Sequence, residues 1–159
     1  MSGTAAKMAA AVSPRAAIYL KPATRKKAEL IDAYAARFSE MMAGPIAGSV
    51  EILAELKASG TALYGLTNFS AETYPVAFER FQFLRWFRGI VVSGEVGVIK
   101  PDPRIFELLI DRFAIDPEDT VYIDDVEANV IAARPFGIHS IQFTTAAALR
   151  EELVGLGLL

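Results

Sequence analysis

Apolar residues along the chain recur first at helical and then at strand spacing, and the two patterns alternate. Leu30, Ile31, Tyr34, Phe38, Met41 and Met42 fall three and four residues apart, which predicts an amphipathic helix over 28–42 ending at Ala43-Gly44-Pro45. A second helix should follow, with Ser49 as its N-cap, Ile52, Leu53 and Leu56 on one face, and Gly60 at the C-cap glycine position. The run 61–66 (TALYGL) is continuously apolar and bounded by Gly60 and the polar Thr67-Asn68, as expected of a buried parallel strand. Further on the pattern predicts a helix over 71–80, a strand over 89–93, a helix over 103–113 and a strand over 120–123. A helix over 127–135, a strand over 138–143 and a helix over 146–153 complete it. Regular alternation with few hairpin signals predicts an α/β layered fold on a mostly parallel sheet.

Composition adds one sharp asymmetry. The 159 residues carry a net charge of -3, but residues 1–28 hold six basic side chains and no acid, so that Glu29 is the first acidic residue and the chain from Glu29 onward sums to -9. An Ala-rich, basic, acid-free segment is shared by transit peptides, solvated arms and sequence without function; the last of these is favoured, because Pro14 and Pro22 interrupt any long amphipathic helix. A secretory signal does not fit, since the apolar residues 8–12 are cut short by Ser13, Pro14 and Arg15. Only 16–20 (AAIYL) looks structured there, as a short strand or a piece of helix. No uncharged stretch reaches the roughly 18 apolar residues of a membrane span. The absence of cysteine excludes disulfides, thiolate nucleophiles and zinc–thiolate sites. A cytoplasmic location is the expectation, with organelle targeting the lesser alternative.

Ligands of open parallel sheets sit beyond the carboxyl ends of the strands, and there the sequence places polar residues. One strand ends in Thr67-Asn68, another leads through Ser93-Gly94-Glu95 to Lys100-Pro101-Asp102-Pro103, and a third ends in Asp124-Asp125. Together they offer a hydroxyl, an amide, an ammonium and paired carboxylates, the parts that hold a phosphate and a hard divalent cation. Each part also has a plainer role open to it: Thr67-Asn68 as turn residues, Lys100 as a solvated side chain, Asp125 as a helix cap. Phe78, Phe81, Phe83, Trp86 and Phe87, interleaved with Arg80, Arg85 and Arg88, fit core packing better than nucleic-acid stacking in so acidic a chain. His139, the only histidine, is expected to be structural.

The order and spacing of LTN, GVIKPDP, YIDD and EANV resemble motifs two to four of the haloacid dehalogenase-like hydrolases, as do the runs GPIAGSVEILAELKASG and KPDPRIFELLIDRF. The likeness covers residues 28–159 and is nearest to small phosphatases with a helical cap, including the phosphatase domain of epoxide hydrolases, alongside 2-haloacid dehalogenases. It implies a Rossmann-like three-layer sheet in which Thr67, Asn68 and Lys100 bind phosphate, Lys100 being also the catalytic residue that pairs with the nucleophile. Asp125 and Asp124 would hold Mg²⁺, Asn129 would support their loop, and the implied ligand is a small phosphorylated metabolite acted on through an aspartyl intermediate.

The nucleophile motif of that family, a strand followed by Asp-x-Asp-x-Thr, has no counterpart, since the first aspartate is Asp32. If 16–20 imitates the missing strand, Lys21-Pro22-Ala23-Thr24 follows it. The expected organisation is a divergent segment over 1–27, a remnant cap helix over 28–44 and an N-terminally incomplete core over 45–159, consistent with an inactive phosphatase-type hydrolase; the alternatives are a non-catalytic module that binds phosphate or a partner, a truncated gene product, or the remnant of a 2-haloacid dehalogenase-like enzyme. Without a central strand, the strands ending at Leu66 and Ile123 would have bare edges, and three outcomes are open: 16–20 fills the gap, the two halves close imperfectly, or a partner such as another copy of the chain supplies a strand. Neither nucleic acid nor membrane is an expected partner.

Overall fold

The sheet is built from Lys7–Ala10 (β1), Ala62–Thr67 (β2), Gly89–Val92 (β3), Thr120–Asp124 (β4) and His139–Gln142 (β5). All pairings are parallel and the order is β3-β2-β1-β4-β5. The computed structural model describes residues 7–10, 37, 38, 40 and 42–159. The expected run at 16–20, the Lys21-Pro22-Ala23-Thr24 that follows it and most of the expected 28–42 helix lie outside these residues.

The middle strand corrects the expectation of an incomplete core. It is Lys7–Ala10, level with Ala62–Gly65 on one side and with Thr120–Ile123 on the other. β2 is thus paired by β1 and β3, and β4 by β1 and β5, so neither has the bare edge that suggested pairing with another chain. Among the described residues the sheet edges are β3 and β5. Four residues, KMAA, without a β-branched side chain or an alternating pattern, were enough because neighbours on both sides satisfy the strand's backbone groups.

Helices cover both faces. Ala47–Ala58 (α1) and Ala146–Gly155 (α6) bury Ile52, Leu53, Leu56, Leu149 and Leu153 against Leu63, Val121, Ile123 and Ile141 of the sheet. On the opposite face Pro103–Phe113 (α4) and Glu127–Ala133 (α5) bury Ile105, Phe106, Leu109 and Ala133 against Tyr64, Leu66, Val91 and Tyr122. Successive strand residues point to opposite faces, so one continuous apolar run in β2 or β4 serves two cores. Tyr74–Arg80 (α2) and a 3-10 turn, Gln82–Trp86, close one end, with Leu84 and Phe87 buried and Lys57, Arg80 and Arg85 lying over the rings of Trp86, Phe81 and Phe78. This is the packing role expected of the aromatic stretch. His139 is exposed at the edge of the sheet.

Several boundaries move for local reasons. α1 starts before Ser49, which lies inside the first turn rather than at the cap, and its N-cap residue Ile46 makes no side-chain bond. Its end is as expected: Gly60 adopts φ +86, and the N–H groups of Thr61 and Gly60 return to the carbonyls of Leu56 and Lys57. α2 begins only at Tyr74, because Ser70 Oγ accepts from Thr73 N–H at 3.1 Å and makes a turn ahead of Pro75. The strand expected over 89–93 ends at Val92, and Ser93–Val96 (α3), read from the sequence as part of the connection to Lys100, forms a single helical turn. It is held by Ser93 Oγ and Gly94 N–H, both donating to the Phe69 carbonyl, and stopped by Gly97 at φ +71. α4 spans the expected residues, capped by Asp102, which accepts from Arg104 N–H at 3.0 Å.

Two predictions follow from these contacts. A Cβ at Gly94 would meet Ala71 N and Phe69 O, both backbone atoms. Gly94→Ala should therefore destabilise the protein by about 1–3 kcal/mol, read as a lower urea midpoint; an unchanged midpoint would show that the two loops are not in contact. The hydrogen bonds from Arg104 hold the Asp102 carboxyl down to about 2, against an ordinary 3.8. The stability difference between wild type and Asp102→Ala should accordingly be complete above the ordinary value and disappear as the pH falls through about 2, measured by urea denaturation across that range.

Candidate functional site

At the carboxyl ends of β2 and β4 the side chain of Lys100 is buried between the two strands. Its ammonium donates to Leu66 O at 2.9 Å and to Asp124 Oδ2 at 2.8 Å, and both charged side chains are essentially sealed from solvent, at 1% and 0% exposure. The turn that carries Lys100 is clamped by Asn68, whose Nδ2 donates to Lys100 O at 3.0 Å and whose Oδ1 accepts from Lys100 N–H at 2.8 Å. The Lys100–Pro101 peptide that follows is cis. Three segments distant in sequence thus meet on one side chain.

Asp124 is the hub. Oδ2 accepts from Tyr122 OH at 2.6 Å as well as from Lys100, while Oδ1 accepts from Val126 N–H at 2.8 Å and Asn129 Nδ2 at 3.0 Å. Four donors fill about the four lone-pair sites of a carboxylate. Burial alone would push this carboxyl up, but the charge of Lys100 and the bonds from Lys100, Tyr122 and Val126 together hold it below its usual range. Burial lowers Lys100 against the opposing pull of Asp124, and burial together with Asp124 raises Tyr122, which remains a phenol and a donor.

The expected site residues are therefore brought to one edge of the sheet, in unequal roles. Thr67 is buried as the last residue of β2. Asn68 holds the Lys100 backbone, and Asn129 holds Asp124. Asp125 is exposed, with its carbonyl accepting from Gln142 Nε2 at 3.4 Å. It is not the cap of α5; the N–H that begins that turn goes to Asp124. Tyr122 belongs to the cluster although the motif pattern does not mark it. Its signal is the strand period of two, which puts residues 122 and 124 on the same face.

This arrangement fits Mg²⁺ poorly. Both oxygens of Asp124 are engaged within the protein, which leaves Asp125 as the exposed carboxylate, and no group of three or more His, Cys, Asp or Glu is assembled among the described residues. The residues up to Ala28 can supply no further carboxylate. Mg²⁺ can bind through one or two carboxylates only when substrate phosphate and water complete its shell.

Removing one partner of a buried ion pair costs about 3–5 kcal/mol, because the other charge is left uncompensated. Urea denaturation of Lys100→Met should show a loss of that order, and the double variant Lys100→Met/Asp124→Leu should recover much of it.

A family profile of haloacid dehalogenase-like hydrolases matches residues 7–143, starting at β1 itself. A sesquiterpene phosphatase of Aspergillus oryzae is 32% identical over 109 residues, covering 69% of this chain and 56% of the relative. A phosphoserine phosphatase of Thermus thermophilus is 31% identical over 121 residues, covering 75% and 47%. The chain thus spans about half the length of these curated relatives. Among solved structures, an aspartate-to-alanine mutant of a HAD family enzyme from Bacteroides thetaiotaomicron, in complex with magnesium and inorganic phosphate, superposes with a TM-score of 0.63 at 22% identity. That match covers 74% of this chain and 70% of the other. No helix among the described residues is long and apolar enough to cross a membrane. With the profile covering most of its length and the parallel sheet in place, the chain belongs to the haloacid dehalogenase-like hydrolase family.

Proposed function

We propose that this chain is a phosphatase-type member of its family that binds the phosphate group of a small metabolite without hydrolysing it. The observation that carries this is the Lys100 ammonium, buried and oriented at the carboxyl edge of the sheet, in a chain with no carboxylate before Glu29. Lys100, bonded to the carbonyl of Leu66 one residue before Thr67, supplies an oriented positive charge for a phosphoryl oxygen. Covalent catalysis of the family's type needs an aspartate at the end of the central strand, and β1 is followed here by Ala11-Val12-Ser13. Asp125 is a single carboxylate, so resident Mg²⁺ is expected to be weak and to depend on bound phosphate. A phosphatase site is preferred to a haloacid dehalogenase site because Asp125 is exposed, and a carboxylate there serves a cation rather than halide displacement. The fold relative in which an aspartate is replaced by alanine, still in complex with magnesium and phosphate, supports binding without turnover as a workable state of such a site.

Assay of a generic aryl phosphate with and without Mg²⁺ should show no turnover above background in the wild type. The Ala11→Asp/Ser13→Asp variant, which restores the acidic pair after β1, should gain Mg²⁺-dependent turnover. Mg²⁺-dependent turnover in the wild type that is lost in Asp125→Ala would overturn the proposal.

A further inference from the structure

A phosphate monoester carries about two negative charges at neutral pH, and the carboxyl edge of this sheet is already acidic. The two bases of residues 100–104 are both neutralised within the chain, Lys100 by Asp124 at 2.8 Å and Arg104 by Asp102 at 2.6 Å. Asp125 is not. It follows Asp124 directly, it is exposed, and its carboxylate makes no hydrogen bond or ion pair among the described residues. Glu95 in α3 and Glu127 in the first turn of α5 are exposed at the same edge. Burial pulls the Lys100 ammonium down, and the charges opposing it are Asp124 first and then Asp125, so Asp125 lies within electrostatic reach of that ammonium. The Lys100 N–H left for a phosphoryl oxygen therefore has an uncompensated acid for a neighbour. A simple phosphate dianion would gain one hydrogen bond there and be repelled by Asp125. A cation between the two removes the conflict, and Mg²⁺ is poorly served by a single free carboxylate. An ammonium is better suited, because one carboxylate and water satisfy its three donors without a preformed cage.

We propose that the site selects aminoalkyl phosphates, monoesters whose own ammonium pairs with Asp125 while a phosphoryl oxygen takes the remaining N–H of Lys100. This rests on the phosphate-binding role proposed above and names the class of metabolite that fills it. The ligand brings the cation that the chain does not hold, so its binding needs no Mg²⁺. Its two charged ends also match the alternation of charge at the edge, which sets Lys100 beside Asp125 and orients the ester.

The test is calorimetric titration of the full chain with aminoethyl phosphate and with propyl phosphate, in which a methyl group replaces the ammonium, each in EDTA and in Mg²⁺. In EDTA aminoethyl phosphate should bind more tightly by roughly two- to fivefold, the scale of one exposed ion pair. Asp125→Asn should erase that preference, weakening aminoethyl phosphate and tightening propyl phosphate. Glu118→Gln removes an exposed acid just ahead of β4, at the opposite edge of the sheet, and should keep the preference, which separates pairing with Asp125 from the general acidity of the chain. Mg²⁺ should narrow the preference in the wild type, because it competes with the ligand's ammonium for the same carboxylate. Equal affinities in EDTA would overturn the proposal and leave phosphate binding standing, as would a preference that survives Asp125→Asn or is lost equally in Glu118→Gln. If neither ester binds with or without Mg²⁺, the phosphate-binding role falls and this inference falls with it.

Discussion

The buried ion pair between Lys100 and Asp124 governs the carboxyl edge of this sheet. Two charges removed from water are tolerated only when each is paired and its remaining hydrogen-bonding capacity is met. The requirement recruits the rest of the cluster: Leu66 O for the ammonium, and Tyr122, Val126 N–H and Asn129 for the carboxylate. Because Lys100 arrives on a turn between α3 and α4, the same requirement draws in Asn68, which ties that turn to the end of β2. Packing beneath the cluster follows suit, with Phe106 set against Tyr122. The pair therefore links β2, β4, α4 and α5 at one point.

The chemistry left over is decided by the same pair. Engaging Asp124 inward separates two neighbouring carboxylates that look equivalent in the sequence, one a structural counter-ion and the other an exposed acid. Adjacent carboxylates repel, and the fold resolves the repulsion by giving one of them a lysine. What would complete a metal-dependent site in this family is a carboxylate from the central strand, and that strand lies in place as Lys7–Ala10 with no acid near it in the chain. The scaffold and the nucleophile are thus separable: the strand's backbone pairing keeps the sheet whole whatever its side chains can do.

Legibility in the sequence tracked the strength of the local signal. α4 was readable to the residue because Asp102 caps it, Pro103 starts it, and Ile105, Phe106 and Leu109 mark its buried face. β2 and β4 were readable because a strand covered on both faces is continuously apolar. α3 was not, since Gly94 and Gly97 argue against a helix and the turn exists through bonds to Phe69 O across the chain. β1 was not, because an alanine-rich tetrapeptide has no propensity or periodicity to distinguish it from the basic segment around it. Ser49 had the residue type of a cap but not the position.

The sequence by itself determined the class of fold, the family resemblance and the residues that carry its motifs, because these depend on hydrophobic period and on chemically distinctive side chains at fixed spacing. It also determined that no acid lies before Glu29. Only the tertiary structure decided which four residues form the middle strand, that Asn68 clamps a backbone rather than standing free, and that Tyr122 and Asp124 belong to one buried cluster with Lys100. Those outcomes depend on which donors and acceptors meet when distant segments are brought together, and on the cost of leaving any of them unpaired once water is gone.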